Sequence, residues 1–160
     1  MNRPLSYCTL IIFWVLSVQA TKAQTTDLIG EHFKLLNSHD IKGLANEYAI
    51  DAMIYSPNWE GPKIGPSGIT EVYGRYYKTT PDLAYTITNT IKSGDNIIVQ
   101  YSWGGTMAKP ENGEPSYMEG KKYLLQCCTI FVIKNNKIIK ETNYFDQVAY
   151  LRQVGFFEKH

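Results

Sequence analysis

A chain of 160 residues that is 44% hydrophobic, 13% aromatic and 19% charged has enough apolar side chains for one packed domain and too few residues for two ordinary ones. Its 16 Lys and Arg against 15 Asp and Glu leave a formal charge of +1, with no run of like charge, which excludes an electrostatic nucleic-acid platform. Neither low-complexity tracts nor a fixed period occurs, so wholesale disorder and repeat arrays are excluded as well.

Met1 to Arg3 form a short positive start, Leu5 to Val18 an apolar stretch containing Ile11, Ile12, Phe13 and Trp14, and Thr21, Lys22 and Ala23 lead out of it. This order is the pattern of a secretory signal peptide, and the stretch is short for a membrane span. Residues 1–23 are therefore expected to be a signal peptide and 24–160 a single domain, secreted or periplasmic, with no membrane attachment after cleavage. Cys8 lies near the start of the apolar stretch, whereas a lipidation cysteine follows it. Without Arg3 and Lys22 the remainder is close to neutral.

Along the domain, Thr26 or Asp27 caps a helix through Leu28, Ile29, Phe33 and Leu36, whose spacings of three and four make one apolar stripe. It stops at Asn37-Ser38-His39. Asp40 caps a second helix that turns Ile41, Leu44, Ala45 and Tyr48 inward. Met53 to Ser56 reads as a brief strand ended by Pro57, and Asn58 to Pro66 as loop. Ser67 caps a third helix with Ile69, Val72, Tyr73 and Tyr76 as its buried stripe, and Pro81-Asp82 closes it.

From Leu83 onward the period falls to two and β-branched and aromatic residues crowd together. Four strands are expected: Ala84 to Ser93, Ile97 to Lys109 after a Gly94-Asp95-Asn96 turn, Lys122 to Lys134 after a polar loop from Pro110 to Gly120, and Lys137 to Phe145 after a tight Asn135-Asn136 hairpin. Asp146 caps a last helix carrying Val148, Leu151 and Val154, with Gly155 as its stop. The sum is an α+β fold in which a curved antiparallel sheet wraps around N-terminal helices as a cone-shaped barrel.

Cys127 and Cys128 are neighbours on a predicted strand, so their side chains point to opposite faces and do not bridge. Together with His32, His39 and His160 they show no ligand spacing, so neither a metal nor a cofactor is expected. Gly61, Gly65 and Gly68 lie in a Pro-rich loop and make no phosphate cradle.

Asn37, Asp40, Leu44, Tyr48, Ala49, Asp51 and Ala52, the Gly65-Pro66-Ser67-Gly68-Ile69 and Pro81-Asp82-Leu83 segments, Ile130 to Ile139, and Asp146 through Leu151 to Gln153-Val154-Gly155 resemble the nuclear transport factor 2-like superfamily. Within it the chain is similar to the SnoaL-like polyketide cyclases, from Leu28 to Phe156. Most of these residues are caps, turns and core positions, so they speak to the fold more than to chemistry. The resemblance implies a conical cavity and an acid/base aspartate near the chain end, here Asp146, and it permits a homodimer through the open sheet face.

It also marks departures. The base of the related ketosteroid isomerases falls near Ser56, their second acid at Thr129, and Ser102 to Met107 lacks the histidines that the cyclases tend to carry. Their donor tyrosine falls at His32, which is either a carbonyl-polarising group or an ordinary helix-surface histidine.

Alternation groups Glu141, Asn143 and Phe145 on one face of the last strand, Tyr123, Leu125, Cys127, Thr129 and Phe131 on the one before, and Val99, Tyr101 and Trp103 on the second, without saying which face is inside. The expected ligand site comprises Tyr101, Trp103, Tyr123, Cys127, Thr129, Asn143, Phe145 and the loop residue Trp59. Such an aromatic lining suits a small, largely apolar molecule. Chemistry open to it is proton transfer next to a carbonyl, in which a buried carboxylate takes the proton and a donor holds the enolate oxygen. The candidate bases are Asp146 and Glu141, each with a plain alternative as helix cap and surface strand residue. Two functions remain: an isomerase, lyase or cyclase using these groups, or a non-catalytic module that binds a small molecule or dimerises.

Overall fold

The computed structural model describes residues 28–109 and 115–159. The expected signal peptide, residues 1–23, and the middle of the polar loop, 110–114, lie outside the described residues. No described helix is long and apolar enough to cross a membrane.

Residues 28–38 form helix α1, and Ile29, Phe33 and Leu36 of the predicted stripe are buried. His39 then adopts a left-handed backbone with φ of 56°, held by a 2.8 Å hydrogen bond between its Nε2 and the Leu83 carbonyl and by a ring stack on Tyr77 at 3.9 Å. Asp40 caps α2 (Ile41–Glu47), its side chain accepting from the Gly43 N–H at 2.9 Å. The helix ends one residue short of the predicted stripe. Tyr48 starts β1 (Tyr48–Tyr55), so the brief strand expected at Met53 to Ser56 extends back through it.

The loop expected from Asn58 to Pro66 contains a two-residue strand, β2 (Lys63–Ile64), which pairs antiparallel with β1. Gly65 turns from it into α3 (Gly65–Thr79) with φ of 57°, and a Cβ there would sit 2.2 Å from the Ile50 carbonyl oxygen. Only glycine meets both demands. The helix therefore starts at this turn, with Pro66 in its first turn, and Ser67 donates to the Ile64 carbonyl at 3.2 Å without capping.

Strands β3 (Ala84–Ser93), β4 (Asn96–Thr106), β5 (Lys122–Lys134) and β6 (Lys137–Phe145) follow, and α4 (Gln147–Gln153) closes the described fold. A 3₁₀ turn covers Ser116–Met118. The second strand stops three residues before the expected Lys109, because the Thr106 N–H and hydroxyl both donate to Asp82, at 2.7 and 2.8 Å, pinning the strand end to the turn after α3. Asn135 and Asn136 have φ of 51° and 57°, the left-handed pair that a two-residue hairpin requires.

The sheet order is β2-β1-β6-β5-β4-β3. It is mixed and not purely antiparallel as expected, because β1 runs parallel to β6. The α3 connection carries the chain away from β1, and four successive antiparallel strands, β3 to β6, return it to β1's side in the same direction. Register breaks in β3 near Thr88, in β1 and in β6 curl the sheet over the helices. The β6 break falls at Ile139, between the pairs Ile133 with Ile138 and Val132 with Lys140. It lets Ile138 and Glu141, three residues apart, both face the core.

Two side-chain amides act as pieces of strand. Asn37 donates to the Tyr85 carbonyl at 2.9 Å and accepts from its N–H at 2.8 Å. Gln153 does the same for Leu124, at 3.2 and 2.8 Å, where β5 has outrun its pairing with β6. Each ties a helix to the edge of a strand that has no strand partner there. We expect Asn37→Ala and Gln153→Ala each to lower unfolding free energy by about 1–3 kcal/mol in urea denaturation, while Asn89→Ala, at an exposed position, stays within about 0.5 kcal/mol.

Candidate functional site

Between α3, the β1–β2 loop and the concave face of β4–β6 lies a cavity in two parts. The outer part, about 210 Å³, is lined by Asn58, Arg75, Met107, Tyr123, Phe145 and Tyr150 among others. The inner part, about 20 Å³, is lined by Ile54, Ser56, Tyr73, Tyr85, Tyr101, Glu141 and Asn143 among others. Trp59, Val72, Tyr76 and Trp103 line both. Tyr76 lies 5.7 Å from Trp103 and 6.3 Å from Trp59 between ring centroids, so an aromatic constriction separates the two chambers. The inner one has room for about one water molecule.

Glu141 is 2% exposed. Its Oε2 accepts from the Tyr48 hydroxyl and its Oε1 from Asn143 Nδ2 at 2.7 Å. The Asn143 amide nitrogen also faces the Tyr55 carbonyl at 3.3 Å, which fixes the amide's orientation, and its Oδ1 accepts from Thr129 at 2.5 Å. Having spent its one proton there, Thr129 accepts from Tyr101, 3.0 Å away. Every donor in this chain is thus directed toward Glu141, and the chain crosses β4, β5, β6 and β1, four neighbouring strands.

Burial, and after it the charge of Glu141, push the Tyr48 phenol well above its ordinary value of 10.0. Burial likewise raises Tyr73, Tyr76, Tyr85 and Tyr101. These phenols stay protonated at neutral pH and line the wall as hydrogen-bond donors on apolar rings.

Asp146, the aspartate that the resemblance singled out, is exposed, and its Oδ1 accepts from the Ala149 N–H at 2.9 Å as the cap of α4. It lines neither chamber. His32 is 1% exposed and so is not the helix-surface histidine of the plain alternative, yet it too lines neither chamber. Its Nδ1 lies 2.7 Å from Glu47 Oε2, and a carboxylate offers only acceptors, so the imidazole carries its hydrogen on Nδ1. Phe131 and Tyr48 pack against its ring at 5.2 and 6.1 Å.

Of the expected ligand residues, Trp59, Trp103, Tyr101, Tyr123, Asn143 and Phe145 line one chamber or both, while Thr129 and Cys127 line neither. Sequence reasoning missed Tyr48, because helical spacing assigned it to α2, and Tyr76, which it placed in a packing stripe. Among the described residues no group of three or more His, Cys, Asp and Glu is arranged to hold a metal ion.

A sequence model of the SnoaL-like polyketide cyclases matches residues 26–154, and the chain belongs to that family. Among solved structures it is similar to TsrD from Streptomyces laurentii, at 21% identity over 83% of this chain and 96% of that one, with a TM-score of 0.71. It is also similar to IdmH from Streptomyces antibioticus, at 22% identity over 81% and 97%, TM-score 0.68. A third is a hypothetical protein from Catenulispora acidiphila with a ketosteroid isomerase-like fold, solved with trimethylamine, at 16% identity over 80% and 92%, TM-score 0.67. At such identities these likenesses establish a shared fold. No curated protein matches the chain.

Cys127 and Cys128 are both free thiols. Burial, and then its neighbour Cys128, push the Cys127 thiol up to about 12, so near neutral pH it stays a thiol and is unreactive. Iodoacetamide at pH 8 is expected to label Cys127 only after denaturant is added, as read by peptide mass spectrometry.

Proposed function

We propose that the cavity takes a small, largely apolar ring compound bearing a carbonyl, and that Glu141 moves a proton on the carbon beside it. The observation that carries this reading is a carboxyl group 2% exposed at the inner end of an aromatic cavity, held from both oxygens by Tyr48 and Asn143. Each carboxylate oxygen has a second acceptor site, so these bonds orient Glu141 without exhausting it. Proton removal leaves an enolate on the ligand and a carboxylic acid on Glu141. Return of that proton to a different atom completes an isomerisation or, after ring closure, a cyclisation. The family supports the reading and Asp146 has no part in it.

Of the four residues that line both chambers, Trp59 alone is carried by a loop, the others standing on α3 and β4. Loop side chains are the freer to move, and a ligand edge reaches Glu141 when Trp59 shifts. The inner chamber's small volume favours a second reading, in which the outer chamber binds the compound without converting it.

One experiment separates the two. The α-protons of 2-tetralone in D₂O, followed by NMR, are expected to exchange faster with the protein than in buffer. Glu141→Gln should cut the gain by about 10²-fold or more, and Asp146→Asn should leave it unchanged. Binding without accelerated exchange would establish the non-catalytic reading, and an undiminished Glu141→Gln protein would remove Glu141 as the base.

The exposed Ile91, Leu124 and Tyr144 on the outer sheet face support the homodimer. Sedimentation is expected to give twice the chain mass, and a monomer would reject it.

A further inference from the structure

Among the described residues, the indole Nε1–H of Trp59 is buried without a hydrogen-bond partner. Native proteins seldom leave a buried donor in this state, since it forfeits its bonds to water and receives none in return. The side chain that carries it lines both chambers and packs on Tyr76 at the constriction. Any occupant passing toward Glu141 therefore touches this indole. Its backbone is anchored, the Trp59 N–H reaching the Ser56 carbonyl at 3.5 Å, and the preceding Asn58 donates to the Tyr76 hydroxyl at 3.3 Å.

We propose that Trp59 determines specificity, its N–H donating to a carbonyl-type oxygen of the ligand and so selecting ring compounds with such an acceptor over hydrocarbons of the same shape. The idea rests on the reading that the cavity takes a ring ligand, and is independent of whether Glu141 performs chemistry. Trp59 lines the outer chamber as well as the inner one that holds Glu141, so a ring seated in the outer chamber, its leading edge admitted by a shift of Trp59, presents its oxygen to the indole and a neighbouring hydrogen to the carboxylate. The apolar rings of Tyr76 and Trp103 treat a ketone and a hydrocarbon alike by contact. The orphaned donor tells them apart, because a ligand with no acceptor leaves it unsatisfied.

The test titrates the 160-residue chain with 2-tetralone and with tetralin, two bicyclic compounds that differ by one carbonyl. In the wild type 2-tetralone should bind about tenfold more tightly, and saturation with it, though not with tetralin, should move the Trp59 indole proton downfield in ¹H–¹⁵N spectra. In Trp59→Phe the ratio should fall toward one, with tetralin affinity within about twofold of wild type because the aromatic contact remains. An unchanged ratio in that variant, or an unmoved indole proton at saturation, overturns the inference while leaving a ligand cavity in place. Failure of both compounds to bind the wild type overturns the cavity reading and this inference together. If Trp59→Phe does not fold, the wild-type indole shift, assigned by triple-resonance spectra, decides alone.

Discussion

The site depends on how one buried carboxyl group is satisfied. Removing a carboxylate from water costs several kcal/mol unless donors replace the lost hydration, and Glu141 receives Tyr48 on one oxygen and Asn143 on the other. Asn143 is in turn held by Thr129 and Thr129 by Tyr101. Because these residues come from four adjacent strands, the polar chain and the backbone ladder constrain each other. Moving one strand by a residue would invert its side chain and orphan the next group along.

The same constraint explains the irregularities of the sheet. With a regular β6, Ile138 inside would place Glu141 outside, since they are three residues apart. The bulge at Ile139 reverses the phase, so Ile138 is buried in the core while Glu141 faces the chamber. Tyr48 makes a comparable change. At the junction of α2 and β1, Glu47 turns to His32 and Tyr48 turns to Glu141, and adjacent side chains can diverge in this way because β1 begins there. His32 thus belongs to the packing that holds the start of β1, one step away from the chamber.

Chemistry and access are built on different kinds of scaffold. Glu141, Asn143, Tyr101 and Trp103 stand on strands, Tyr73 and Tyr76 on α3, and these elements meet in one core. Trp59 stands on the loop between β1 and β2, with Gly65 and Pro66 closing that loop onto the helix. A rigid acid with a rigid aromatic wall and one loop-borne side chain at the constriction is a division that permits passage without loosening the geometry around the carboxyl group.

Much of the fold is local and was therefore readable from the chain. Strands Ala84–Ser93, Lys122–Lys134 and Lys137–Phe145 end where expected because Gly94, Asn135 and Asn136 supply left-handed backbone between runs of period two. The same alternation grouped Glu141 with Asn143 and Tyr101 with Trp103, and the caps at Asp40 and Asp146 follow from side chains that reach a backbone N–H three residues on. What the chain alone left open is long-range. The parallel pairing of β1 with β6, the strand role of Tyr48, the burial of His32 and the choice of Glu141 over Asp146 each depend on partners far along the chain. Periodicity says which side chains travel together; only packing of one element on another says which face meets water and which meets the core.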